Sequence, residues 1–251
     1  MIEIINENYI IYSLIITALS VGLLISGKPF GLFKYKIQKI DVFNIVNMVF
    51  ISVFCFLMIR IFIENWVFGL TTDNFINGVF LYGLPMIIFS LIVFILSYKA
   101  LKPINRNPEK SIIFWIFIHF LFGAIVEELI FRGVLLNALL KAFDKNIIFS
   151  VIISSIIFGL IHLIGMSIKN IKMILIRIVE TGCYGIFFSS IYIISGNLLS
   201  VIVIHWIFNI SGSVLYYYTN SNKDYPMKKI YHIIAIILFI WGMYLLKYYI
   251  K

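Results

Sequence analysis

Charged residues are scarce in this sequence, and their scarcity excludes a soluble globular fold. Lys, Arg, Asp and Glu make up 12% of the 251 residues, hydrophobic residues make up 62%, and the mean hydropathy is +1.06. Soluble domains carry roughly 25% charged residues and are about half apolar. Several apolar runs approach the ~18 residues that suggest a bilayer span. The composition predicts an all-α, polytopic transmembrane helical bundle that forms a single integral-membrane domain over residues 1–251.

Cysteine is almost absent, which excludes a disulfide framework. Cys55 and Cys183 both fall inside apolar runs and are interpreted as small buried residues, not as a disulfide or a metal site. Acidic residues are also few, and the net charge is +9. In a soluble chain such a charge would suggest nucleic acid. In this chain it is interpreted as loop charge that fixes membrane topology, so no nucleic-acid partner is predicted.

The signatures of several common hydrolases are missing. The sequence has no His-Glu-x-x-His, which argues against the usual zinc arrangement, and no Gly-x-Ser-x-Gly elbow. No aspartate lies within a predicted span, which argues against a two-aspartate protease.

Eight apolar segments are predicted to span the membrane. They cover roughly residues 9–27, 44–63, 79–98, 111–132, 146–164, 173–194, 197–218 and 229–248. The run from Ser111 to Phe143 is too long for one straight crossing, so we expect it to tilt or to break near Gly133.

Basic residues concentrate in alternate loops, beginning with the 28–43 loop. The positive-inside rule places these loops in the cytoplasm and both termini outside. The richness in Ile, Asn and Lys indicates an AT-rich bacterial genome, so we expect a multi-pass protein of a bacterial plasma membrane.

Two adjacent carboxylates, Glu127 and Glu128, lie with Arg132 inside the fourth span. Ionisable groups in a span are costly and usually face an interior cavity. Glu128 and Arg132 are four residues apart and share a helix face, whereas Glu127 is rotated by about 100°. The spacing predicts that Arg132 pairs with Glu128 and leaves Glu127 free for chemistry. The alternative is a structural ion pair that joins two helices.

Further polar residues lie in the fifth and seventh spans. His162 ends the fifth, and His205 and Asn209 share a face of the seventh. Each could be a polar clasp between helices. Together with Glu127 they predict one site. A carboxylate and an imidazole can deprotonate a water, and a second His with an amide can stabilise an oxyanion. That set would hydrolyse an amide bond and require no cofactor. Alternatively, Glu127, His162 and His205 would hold a divalent metal such as zinc.

These motifs resemble those of the CPBP family of intramembrane proteases, which includes CAAX prenyl proteases and the Abi or bacteriocin-processing type. The similarity covers about residues 120–213. The matching motifs are Glu-Glu-x-x-x-Arg at Glu127, Glu128 and Arg132, Phe-x-x-x-His at Phe158 and His162, and His-x-x-x-Asn at His205 and Asn209.

The resemblance implies a role for each of these residues. Glu127 and His162 would activate the attacking water, and His205 and Asn209 would form the oxyanion site. Glu128 and Arg132 would support the geometry. The substrate would be a peptide or protein, with or without a lipid modification, cut at or within the lipid bilayer.

Two other functions stay open at the level of sequence. The first is a bacteriocin immunity or accessory protein that binds a peptide without cleaving it. The second is a small transporter with Glu127 and Glu180 as proton sites. Arg177 and Glu180, three residues apart, are predicted to pair within the sixth span, where Glu180 is also a candidate substrate contact.

Overall fold

The computed structural model describes residues 9–26, 36–37, 40–62, 69–100, 110–163, 171–219 and 228–250, and nearly all of them are helical. The α-helices are α1 (Tyr9–Ser26), α2 (Val42–Phe62), α3 (Leu84–Ala100), α4 (Lys110–Glu128), α5 (Asn137–Ala142), α6 (Ile147–Ile161), α7 (Ile171–Ser195), α8 (Leu198–Thr219) and α9 (Lys228–Ile250). Two π-helical segments, π1 (Asn77–Tyr82) and π2 (Leu129–Leu136), precede α3 and join α4 to α5. A hairpin of two-residue strands, β1 (Lys36–Ile37) and β2 (Ile40–Asp41), leads into α2.

The helical fold class is confirmed, and three helical segments are long and apolar enough to cross a membrane. By length and composition these are Phe114–Ala142, Ile171–Ser195 and Ile230–Ile250. Shorter apolar helices occupy the other predicted positions, so the number of eight crossings stays a prediction. Most of the loops whose basic residues predict the orientation of the chain in the membrane lie outside the described residues. The placement of the termini therefore also stays a prediction.

The fourth predicted span does not break at Gly133, and its helix continues beyond residue 132, near which the crossing was predicted to end. The helix passes through π2 and α5 as far as Ala142. A π-helical segment leaves backbone groups without their usual partners. Here the Asn137 amide donates to the Arg132 carbonyl at 2.9 Å and the Gly133 carbonyl at 3.1 Å, which keeps the helix continuous.

Helix α7 lies between α6 and α9, while α8 packs against α3 and α4. Small residues allow α6 and α7 to approach closely. A Cβ atom on Gly185 would lie 2.9 Å from the Ser155 Cβ, and one on Gly159 would lie 2.7 Å from the Ile178 carbonyl oxygen. Such contacts between small residues are a usual way for membrane helices to pack. They bring the second half of the chain, which carries the predicted site, into one unit.

The turn between α7 and α8 is tied to the loop that follows residue 69. Asn197 is fully buried, and its amide donates to the Thr71 carbonyl at 2.7 Å and the Asp73 carbonyl at 2.8 Å. Its Oδ1 accepts from the Ser200 N–H at 2.8 Å, so it also satisfies the first turn of α8. This clasp fixes the start of the helix that carries His205.

Replacing Asn197 with Ala is expected to destabilise the fold by about 2 kcal/mol, because it removes a helix cap and leaves polar groups unpaired. In detergent, Tm should fall by about 4–8 °C for a chain of this size. Asn146→Ala is the matched control, since Asn146 caps α6 through one exposed hydrogen bond of 3.2 Å to the Phe149 N–H. Equal shifts in the two variants would contradict a special role for the Asn197 clasp.

Candidate active site

The two adjacent carboxylates are the last residues of α4, and Arg132 lies in π2, all eight residues of which are buried. π-Helical segments are rare and occur frequently at functional sites. The segment is tethered to α7, because the Asn137 amide also lies 2.8 Å from the Tyr192 hydroxyl oxygen. The backbone around Arg132 is therefore held from two sides.

Glu128 is fully buried and binds two partners through one oxygen. Its Oε1 accepts from Arg132 Nη1 at 3.0 Å, which confirms the predicted pair. The same oxygen lies 2.6 Å from His205 Nδ1. Because a carboxylate accepts hydrogen bonds, this contact assigns a proton to Nδ1 and points Nε2 the other way. His205 was predicted to lie in the oxyanion site, and its contact with Glu128 was not predicted from the sequence.

Arg132 is almost fully buried and is surrounded by groups that suit a guanidinium. Its Nη2 donates to the Gly185 carbonyl at 3.0 Å. Its charged carbon lies 4.7 Å from the centre of the Phe158 ring and 5.4 Å from that of Phe188, within the range of a cation–π contact. Phe188 also stacks on the His205 ring at 4.7 Å with an interplanar angle of 24°. Two aromatic rings thus hold both the arginine and the histidine that bind Glu128.

Glu127 faces two imidazoles. Its Oε2 lies 3.6 Å from His162 Nε2 and 3.7 Å from His205 Nε2, and this oxygen has no hydrogen-bond partner among the described residues. His162 Nδ1 lies 2.8 Å from the Phe158 carbonyl, so Nδ1–H donates and Nε2 presents a lone pair. The side chains of Glu127 and His162 are 29% and 24% exposed. The structure therefore brings Glu127, His162 and His205 together. The side chains of Glu127 and His162 are partly exposed, although the Glu127 Oε2 atom itself is buried.

Asn209 lies one turn beyond His205 on α8 and is half-buried. That spacing puts the two side chains on the same helix face. Its role in an oxyanion site stays a prediction, as do the catalytic roles of the other five residues.

The donor types of the site suit zinc, but their arrangement does not. Across the part of the chain that the structure describes, no group of three or more His, Cys, Asp or Glu side chains could hold a metal ion as placed. No step of the chemistry below is therefore assigned to a metal.

A second polar cluster lies on the side of α7 that faces α9. Glu180 is 9% exposed, and its carboxylate lies 3.6 Å from Arg177 Nη1 and 3.7 Å from His232 Nδ1. The predicted pairing of Arg177 and Glu180 is confirmed. Glu180 contacts these two residues and not the histidines around Glu127, so the two carboxylates belong to separate clusters. The two cysteines, Cys55 and Cys183, are free; Cys55 is buried, as predicted, whereas Cys183 is only half-buried.

Comparison with known proteins identifies the same region. A family model described as type II CAAX prenyl endopeptidase, Rce1-like, matches residues 109–211. No curated protein matches the chain. The matched segment contains all six predicted site residues, and such a family supports an intramembrane endopeptidase in general. Residues 109–211, less than half of the chain, are similar to the Rce1-like type II CAAX prenyl endopeptidases, and this similarity is consistent with a CPBP-family intramembrane protease.

Proposed function

We propose that the chain hydrolyses a peptide bond at or within the membrane, with a water molecule activated by Glu127 and His162. One observation carries the proposal: the unpartnered Glu127 Oε2 lies within 3.7 Å of the Nε2 atoms of both histidines. With its Nδ1–H committed to the Phe158 carbonyl, a neutral His162 ring presents only a lone pair to the carboxylate. Buried polar groups are normally satisfied, so such an arrangement calls for a proton donor among them. Water is a donor that the reaction itself consumes.

The spacing suits a shared water. A water oxygen can lie about 2.8 Å from each of two atoms that are less than 4 Å apart, as Glu127 Oε2 and His162 Nε2 are at 3.6 Å. As its oxygen bonds to the substrate carbonyl carbon, its proton would pass to Glu127, with His162 Nε2 accepting a hydrogen bond. The exposed parts of these two side chains border the buried Glu127 Oε2, and water and substrate would approach from that side.

His205 and Asn209 would stabilise the negative charge that develops on the carbonyl oxygen. His205 would donate through Nε2–H when its ring carries two protons, with its Nδ1–H directed to the Glu128 carboxylate. The charges then balance, because Arg132 and His205 offset Glu127 and Glu128. The tetrahedral intermediate collapses as the C–N bond breaks, and the proton held by Glu127 or His162 passes to the leaving nitrogen. The products are a carboxylate and an amine.

A cleavage assay tests this function directly. The purified protein, reconstituted in liposomes, is incubated in ¹⁸O-water with membrane peptides that do or do not carry a C-terminal prenylated cysteine. We expect one cut, with one ¹⁸O atom in the new carboxyl group, and activity that persists after exhaustive chelation. Loss of activity on chelation, with recovery on addition of zinc, would replace the proposed water activation by a metal mechanism. Peptide binding without any cut would favour the immunity or accessory role.

Replacing Asn209 with Ala is expected to lower kcat by about 10²-fold, the usual effect of losing one oxyanion donor, with little change in KM. Steady-state kinetics and Tm in the same detergent check this. Ser211→Ala is the control, because the Ser211 hydroxyl only donates to the Phe208 carbonyl of its own helix. A change confined to KM would remove Asn209 from the oxyanion site.

A further inference from the structure

A cavity of about 400 Å³ opens at one end of the bundle, where α5, α6, α7 and α9 meet. Its polar lining consists of Lys141, Lys145, the Asn137 amide and the Tyr192 hydroxyl, and Tyr249 borders it. Other described grooves lie between α7 and α9 and along α9. Most of their lining is apolar, but Glu180 and His232 line one of them and Lys247 lines another. This cavity differs from them in bringing two lysines together.

The cavity lies at the level where the bundle leaves the membrane. The three segments that are long enough to cross a bilayer end at Ala142, Ser195 and Ile250. Lys141, Gly196 and Tyr249 line the cavity beside those three ends. Tyrosine and lysine are typical of the membrane–water interface, where phospholipid headgroups lie.

Lys145 adopts a conformation that lysine normally avoids. The φ angle of Lys145 is +65°, and its N–H donates to the Leu140 carbonyl at 2.7 Å. The preceding residue, Asp144, has a φ angle of +47°. A left-handed conformation is unfavourable for a side chain that carries a Cβ, and glycine is the residue that usually ends a helix in this way. The chain therefore places a lysine beside the cavity at a position where glycine would be more stable. Asp144, exposed in the same turn, is the neighbouring acid and is not part of the lining.

An apolar groove adjoins the cavity. It has a volume of about 600 Å³ and is lined by Ile148, Ile240, Met243, Tyr244, Leu246 and Ile250, with one further lysine, Lys247. Both spaces are bordered by the first turn of α6 and the last turns of α9. We propose that the cavity binds the phosphate of an anionic phospholipid between Lys141 and Lys145, with an acyl chain in the adjoining groove. An acidic peptide would use the lysines but not the groove.

This inference does not rest on the proposed hydrolysis. Its test is lipid binding by the full chain in nanodiscs of phosphatidylcholine that contain increasing fractions of phosphatidylglycerol, with bound lipid counted by native mass spectrometry. Lys141→Gln and Lys145→Gly should each weaken phosphatidylglycerol binding by about fivefold, the effect of one lysine near an anionic headgroup. Lys172→Gln, at the opposite end of α7, should leave the affinity unchanged.

The substitution at Lys145 separates binding from folding. Because glycine suits the local φ angle, Lys145→Gly should keep or raise Tm while it loses the lipid. Equal retention of phosphatidylcholine and phosphatidylglycerol would overturn the proposal, as would an equal loss in Lys172→Gln. If inorganic phosphate or an acidic peptide displaces the lipid at comparable concentration, the site recognises an anion without its acyl chain, and the proposal also fails.

Discussion

Replacing Glu127 with Gln is expected to lower kcat for peptide hydrolysis by about 10³–10⁴-fold, the upper range for removing a general base. Glutamine has nearly the same shape but cannot take the proton of the attacking water. The loss should appear without unfolding, because the Glu127 side chain is partly exposed and its buried Oε2 has no hydrogen bond to lose. Single-turnover cleavage in liposomes and Tm in detergent measure the two effects.

Glu180→Gln is the matched control for this variant. Among the described residues, Glu180 is a carboxylate that also lies in a candidate membrane-spanning helix but outside the site. It pairs with Arg177 and His232. Its replacement should leave kcat within a small factor of the native value. If Glu127→Gln retains more than about a tenth of the native kcat, Glu127 is not the general base. If a protective phenotype survives in Glu127→Gln after cleavage has been lost, the biological role lies in binding.

Replacing Arg132 with Met is expected to destabilise the fold by about 3–5 kcal/mol, because it leaves the buried Glu128 carboxylate without its cation. The substitution also removes the hydrogen bond to the Gly185 carbonyl and the contacts with the rings of Phe158 and Phe188. Activity should fall as well, since Glu128 would no longer be fixed beside His205. Chemical unfolding in detergent and the cleavage assay give the two readouts.

A second substitution distinguishes the electrostatic explanation from a loss of packing. When Arg132→Met is combined with Glu128→Gln, the buried Glu128 charge that lost its partner is also removed. The double variant should therefore be more stable than Arg132→Met alone. Activity should not return, because His205 has lost its carboxylate. Arg177→Gln, which breaks a pair whose arginine side chain is 41% exposed, should have a small effect. A double variant that is less stable than Arg132→Met alone would contradict this explanation.

The parts of the site that follow from local helix geometry could be predicted from the sequence. The pairing of Glu128 with Arg132 depends only on a four-residue spacing, and the structure has it at 3.0 Å. The pairing of Arg177 with Glu180 is of the same kind. The apolar runs likewise predict the helices, because length and hydropathy are local properties.

The contacts made across the bundle could not be predicted in this way. His205 and Glu128 are in contact although they are 77 positions apart in the sequence. Arg132 donates to the carbonyl of Gly185, which is 53 positions away. Nothing in the spacing of Phe188 distinguishes it from an ordinary core residue. The continuation of the fourth helix beyond Gly133 depends on the Asn137 amide, whose partners lie in a π-helical segment that no pattern in the sequence indicates.

The central claim is that Glu127 and His162 act on the same water molecule, and a double-mutant cycle tests it most directly. Groups that act as a unit are strongly non-additive in their effects on rate. Single-turnover rates of Glu127→Gln, His162→Ala and the double variant are measured on one peptide. The double variant should be no slower than Glu127→Gln alone, whereas rate losses that multiply would show that the two side chains act independently and would contradict the shared water.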